Sequence, residues 1–167
     1  MLGGNTMSMK NLAVAVDLWG THLRAALVDA NGKILRREMK PVGIARTEVE
    51  IVKAIGSLVR VVAIDGSPLR GVGIGIPGLV DGKKGVVFES PHFPDWKNVS
   101  FAQQLQEELR QPVTIDNDAN AAALGEQWLG AGKDFASFVM LTLGTGIGGA
   151  LVLVVVVLVW VVRSKKS

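Results

Sequence analysis

The spacing of apolar positions changes several times along this chain, and each change marks an element. Asn11–Asp17, His22–Asp29 and Lys33–Lys40 are three short β-prone runs. Asn31-Gly32 joins the last two and suits a tight turn with positive φ at both central positions. The chain is therefore expected to open on a three-stranded antiparallel meander. Thr47-x-x-Glu50 is a capping box, and Val52, Ile55, Val59 and Val62 follow at helical spacing. Gly66-Ser67-Pro68 ends that helix. Leu69–Ile76 is the next strand, broken by Pro77-Gly78, and a hairpin around Asp81-Gly82 leads to Val86–Phe88. Ser100-x-x-Gln103 predicts a second capping box, opening a helix to Arg110. Pro112–Asp116 is a strand, Ala119–Leu129 an Ala-rich helix, and Ser137–Leu143 a strand that runs into the glycines of Gly144–Gly149.

The order β-β-β-α-β-α-β-α predicts an α/β fold with a mixed sheet. Glycine turns at strand ends are where such folds bind phosphates. In the strand Leu69–Ile76, Gly71 and Gly73 are expected to let a helix pack closely, and Gly78 is the better candidate for a ligand.

Composition adds exclusions. The 167 residues include 20 Gly and 6 Pro, too few for a collagen-like or Pro-rich class, and 49% hydrophobic content excludes a disordered chain. No Cys is present, which removes disulfides, thiolate zinc sites and a Cys nucleophile together. Lys and Arg number 18 against 15 Asp and Glu, but removing Arg163, Lys165 and Lys166 leaves 15 of each sign. The body is neutral and lacks the basic clusters of a nucleic-acid surface. His22 and His92 stand too far apart in sequence to suggest a metal site. Trp96 and Trp128 read as core or rim. Residues 1–10 read as a frayed leader without an apolar targeting region.

Three segments carry candidate chemistry. Asp17-Leu18-Trp19-Gly20-Thr21 sits between two strands, where a carboxylate can hold a divalent cation through water and a Gly turn admits phosphate oxygens. Asp and Gly are also ordinary turn residues. Leu143–Gly149 places four glycines in a loop after a strand, without the Lys-Ser/Thr of a Walker loop. Asp116-Asn117-Asp118-Ala119-Asn120 lies where a strand meets a helix. One N-cap explains one of these side chains but not two carboxylates and two carboxamides. An Asp there can take a proton from a substrate hydroxyl, and an Asn can bind neighbouring hydroxyls.

In this order the motifs resemble the ROK family of sugar kinases, the glucokinase-like branch of the actin/hexokinase ATPase superfold. The resemblance rests on Asp17–Thr21 with Leu23–Asp29, Gly73–Asp81, Pro91–Val99 (PHFPDWKNV), Ile115–Glu126 (IDNDANAAALGE) and Leu141–Ala150 (LTLGTGIGGA). It implies an actin-like (ribonuclease H-like) ATPase lobe over 11–134, with 135–150 opening a second lobe. It also implies ATP- and Mg²⁺-dependent phosphorylation of a sugar hydroxyl, often the 6-hydroxyl of a hexose. On that match Asp118 is the catalytic base, Asn117 and Gly78 lie at the sugar, and Asp17 organises Mg²⁺ through water. Gly20, Thr21, Gly144, Thr145 and Gly146 line the phosphates. Sugar and ATP are the implied partners, a homodimer is compatible with the family, and the cytoplasm is the expected location. Trp19 stands where the family's phosphate hairpin has Gly, and His92 where many members have Asn. The match stops near Ala150, before the family's second-lobe Glu and His, its Cys-rich zinc motif and its adenine pocket, so no zinc site is expected here. The chain thus reads as a truncated kinase, its activity an open expectation. The alternative is a non-catalytic sugar-binding or regulatory protein.

Residues 151–167 depart from that pattern. Val152–Val162 holds only Val, Leu and Trp160, and no charge occurs from Phe135 to Val162. This stretch is long enough to cross a bilayer, with Arg163-Ser164-Lys165-Lys166 as a basic flank. Its first half, however, is the strand and Gly loop of the kinase motif. A truncated or frame-shifted kinase is the favoured reading, over a membrane anchor through 135–162 or an altered strand returning from the loop.

Overall fold

The structure is a computed structural model describing residues 11–43, 47–64, 68–143 and 147–153. Its first three strands, β1 (Leu12–Leu18), β2 (His22–Val28) and β3 (Ile34–Pro41), form the expected antiparallel meander. The turn between β2 and β3 is not the two-residue type that Asn31-Gly32 suggests. Only Gly32 of that pair has positive φ, at 77°. The Asp29 carboxylate accepts from the backbone N–H groups of Asn31 and Lys33, and Gly32 N–H donates to the Asp29 carbonyl. A side-chain acceptor at the turn's start has replaced the need for a second left-handed residue.

Helix α1 (Glu48–Val62) starts on the predicted capping box. The Thr47 hydroxyl accepts from Glu50 N–H, and the Glu50 carboxylate accepts from Thr47 N–H. Val52, Ile55, Val59 and Val62 are all buried. Thr47→Ala is expected to destabilise the fold by about 1 kcal/mol, read as a lower urea midpoint at unchanged m-value.

After α1 come β4 (Leu69–Ile76), β5 (Leu79–Asp81), β6 (Val86–Glu89), α2 (Phe101–Leu109), β7 (Val113–Asn117), α3 (Asp118–Leu129), β8 (Phe138–Leu143) and β9 (Ile147–Val152). The predicted capping box at α2 does not form. Ser100 makes no side-chain cap hydrogen bond, and Gln103 turns along the helix to Glu107 instead of back to Ser100. The orphan donors at that end are met by other backbone: Ala102 N–H donates to the Gly85 carbonyl and Phe101 N–H to that of Val99.

The main sheet has the order β3-β2-β1-β4-β7, with β4 and β7 parallel to β1. One face carries Leu12, Val14, Val16, Leu18, Leu23, Leu27, Ile74 and Ile115 into a single core with α1 and α2. The other face carries small or polar residues and takes α3. Here the glycines of β4 act differently from expectation. A Cβ on Gly71 would meet the Pro112 carbonyl at 2.9 Å, and one on Gly73 only the Thr114 hydroxyl at 3.8 Å. Gly75 is the residue that faces a helix, with Asp118 Cα and Ala121 Cβ within 3.7 Å of its missing Cβ. The difference is one of register: Gly75, not Gly71 or Gly73, lies level with the first turn of α3.

β8 and β9 form a separate hairpin, and Phe138, Met140, Ala150 and Val152 pack it against Ala119 and Ala123 of α3. Its outer positions Val139, Leu141 and Leu151 are exposed. β9 ends at Val152, inside the stretch set apart as the tail, and residues 154–167 lie outside the described residues. No described helix is long and apolar enough to cross a membrane.

Candidate functional site

The parallel strands β1, β4 and β7 end together, and their last residues define the site. Asp17 pairs with Gly75, and Gly75 with Asp116, so two carboxylates flank a position with no side chain. One residue on, Asn117 leads directly into α3. Its Oδ1 accepts from Ala119 N–H at 2.9 Å and Asn120 N–H at 3.3 Å, making it the N-cap. Its Nδ2 donates to the Gly78 carbonyl at 2.9 Å. Asn117 thus ties the Pro77-Gly78 turn to the start of α3, 39 residues away in sequence.

Gly78 has no room for another residue. Its φ is 134°, and a Cβ would run into the Glu89 carbonyl and lie 2.9 Å from Ser90 Cα. Gly78→Ala is expected to lower stability by at least about 2 kcal/mol, through backbone strain plus overlap, measured by chemical denaturation.

Asp118 is the first residue of α3, half-buried, with Oδ1 accepting from Ala119 N–H at 2.9 Å. Asp116 accepts from Asn117 N–H at 2.7 Å and from the Asn120 amide at 3.0 Å. Asp17 is half-buried, and burial pushes its carboxyl above the ordinary carboxylate value. Arg24, whose guanidinium lies 3.7 Å away, opposes that shift. The Asp118 charge adds to it, and a hydrogen bond from the Trp19 side chain offsets part of it. Asp17 and Asp118, about a hundred positions apart, therefore sense one another across the end of the sheet. A groove of about 700 Å³ opens beside Asp17 over Ala15, Arg24, Ala26 and Met39.

The β1–β2 turn is tight, with Trp19 N–H donating to the His22 carbonyl. Thr21 is exposed, its hydroxyl 2.9 Å from His22 Nδ1. Gly20 lies against the His92 ring, whose Nδ1 would be 2.6 Å from a Cβ there. Gly144, Thr145 and Gly146 lie outside the described residues.

Comparison with known proteins fixes the family. The ROK family model matches residues 13–156. The chain belongs to the ROK family. It is 41% identical over 139 residues to a glucokinase of Thermotoga maritima, a match covering 83% of this chain and 44% of that protein. It is 32% identical to a beta-glucoside kinase of Listeria innocua, over 82% of this chain and 45% of the other. The solved structure of a ROK glucokinase from Streptomyces griseus, in complex with glucose and AMPPNP, aligns with a TM-score of 0.76 at 36% identity. That alignment covers 86% of this chain and 45% of the glucokinase. The chain thus spans less than half the length of these relatives, and its fold is the actin-like ATPase fold of the family's kinases.

Within this ROK chain, Asp17, Gly78, Asn117 and Asp118 come together at one end of the sheet, and Gly20 and Thr21 sit on the adjoining turn. Two neighbours were missed in the sequence. Arg24 lies opposite Asp17 in the hairpin register, which counting back from the Trp19–His22 turn would have revealed. Ser90 is 4% exposed, and its hydroxyl has no hydrogen-bond partner among the described residues. No sequence signal marks it.

Proposed function

We propose that this site serves ATP-dependent phosphorylation of a hexose hydroxyl, as in the glucokinases the chain resembles. The observation that carries the reading is the meeting of Asp17, on β1, with Asp118, at the start of α3, beside the Gly78 turn held by Asn117. Asp118 accepts the proton of the attacking sugar hydroxyl. Its place at the first residue of α3 orients the carboxylate, whose Oδ1 accepts from Ala119 N–H. Asn117 fixes the Gly78 turn, and together they orient the sugar at Asp118.

The donor set suits Mg²⁺. Two half-buried carboxylates repel one another, and Arg24, 3.7 Å from Asp17, is exposed and compensates weakly. Asp17 would hold the ion through water. When bound, Mg²⁺ neutralises charge developing on the transferring phosphoryl group. The Gly20-Thr21 turn would offer N–H and hydroxyl donors to phosphate oxygens, with Gly144, Thr145 and Gly146 as the opposing loop. ATP and a hexose are then the small-molecule partners, and the reading requires no nucleic acid.

A sugar-dependent release of ADP by the protein tests this reading. Sugar binding, seen as a change in Trp emission, without any ADP release would favour a non-catalytic sugar-binding protein. The indole of Trp19 on the phosphate-side turn is the feature that favours this second reading.

A further inference from the structure

Two carboxylates and two carboxamides cluster where β7 meets α3. Asn117 and Asp118 have places in the reading above, and Asp116 and Asn120 have none. Asp116 is half-buried near the end of β7, level with Gly75, and Asn120 is exposed on the first turn of α3. The two are joined: Asp116 Oδ1 accepts from the Asn120 side-chain amide at 3.0 Å and from Asn117 N–H at 2.7 Å. The Asn120 backbone N–H donates in turn to Asn117 Oδ1 at 3.3 Å. A closed circuit of hydrogen bonds thus runs from Asp116 through Asn120 to Asn117 and back. Asp118 lies within it along the chain, and both its neighbours are held. Asn117 is tied by its N–H to Asp116, and Ala119 N–H donates to Asn117 Oδ1 at 2.9 Å. The β5–β6 turn closes on Asp116 from another side. A Cβ on Gly82 would lie 2.8 Å from the Ile115 carbonyl and 3.7 Å from Asp116 Oδ2.

We propose that Asp116 and Asn120 are positioning residues, a clamp that fixes the backbone on both sides of Asp118 and so aims its carboxylate at the sugar hydroxyl. The proposal rests on the kinase reading above. Neither residue needs to touch the sugar. A carboxylate acceptor makes the bond to Asn120 charge-assisted, which suits an exposed amide for which water competes. Placement is what a general base depends on, and a displacement of about 1 Å costs about 10²-fold in rate. The sugar-side turn is held separately, by Asn117 Nδ2 on the Gly78 carbonyl. The clamp therefore acts on proton transfer and not on hexose binding.

The test uses Asp116→Ala, Asp116→Asn, Asn120→Ala and the double alanine variant of the protein. It reads kcat and the hexose KM well below the melting temperature, and the melting temperature itself. Asp116→Ala is expected to lower kcat about tenfold, the scale of a shift of a fraction of an ångström, with the hexose KM unchanged. Asp116→Asn keeps an acceptor oxygen for both donors, so its kcat returns to within about twofold of the parent's. Asn120→Ala raises helix propensity, so the fold survives it, and it lowers kcat by a factor similar to that of Asp116→Ala. The double variant loses no more than either single one, because both side chains belong to one clamp. Parent-like kcat in Asn120→Ala, or losses that multiply in the double variant, overturns the clamp and leaves the kinase reading intact. So does an Asp116→Asn variant as slow as Asp116→Ala, which would assign Asp116 a role through its charge. An effect confined to the melting temperature assigns the pair to the fold alone and also overturns the clamp. A parent without hexose-dependent ADP release overturns the kinase reading and the clamp with it.

Discussion

Asp118→Asn is expected, on the proposed kinase reading, to lower kcat for hexose phosphorylation by about 10²- to 10⁴-fold, the usual worth of a positioned general base. The substitution keeps the shape of the side chain, and its amide oxygen can still accept the Ala119 N–H hydrogen bond that Asp118 accepts at 2.9 Å. It removes the ability to take a proton. The fold should barely respond: loss of one negative charge at the first residue of α3 costs about 0.3–1 kcal/mol of favourable interaction with the helix dipole. Removal of the like charge that Asp118 presents to Asp17 works the other way. Steady-state kinetics and a thermal melt on the same preparation separate the two effects. A variant that keeps the parent's kcat would remove Asp118 from the base role.

Much of this arrangement is legible in the sequence, for identifiable reasons. β4 is bounded by Pro68 and by Pro77-Gly78, which cannot continue a strand, so its limits were readable to the residue. α1 declares itself by a capping box and a four-residue apolar rhythm, both local signals. α2 begins after Ser100 as expected, but its capping box does not form because its first donors are met by the carbonyls of Gly85 and Val99, and Gly85 lies fifteen positions before Ser100. Which glycine of β4 meets a helix likewise depends on the level at which α3 begins.

The site divides in the same way. Asp17, Asn117 and Asp118 stood out as chemistry-bearing residues at strand ends, and resemblance to a family supplied their company. Trp19 and His92 also stood out, but only as separate oddities. Their contact, 6.5 Å between ring centroids, depends on how the Ser90–Phe93 turn is pinned by Phe93, Trp96 and Phe101, an arrangement of aromatic rings that no spacing along the chain encodes.

Asp17→Asn should move activity and stability in opposite directions. Its carboxyl lies above the ordinary value of 3.8, chiefly through burial. The folded chain therefore holds this proton more tightly than the unfolded chain. The stability contributed by the protonated form is fully present below the unfolded value and is lost as pH rises through the raised one. At neutral pH the fold carries an ionised, half-buried carboxylate facing Asp118. Asp17→Asn removes that charge, so its melting temperature at pH 7 is expected to exceed the parent's, and the gain should vanish below pH 3.8, where both side chains are neutral. On the proposed reading activity should fall on the order of 10²-fold or more, because Asp17 is the carboxylate that would hold the metal. Mg²⁺ supplies the cross-check. Binding to the folded state raises the parent's melting temperature and should leave Asp17→Asn nearly unmoved. If Mg²⁺ raised both equally, the ion would sit elsewhere and Asp17 would be left with only its contacts to Arg24 and Trp19.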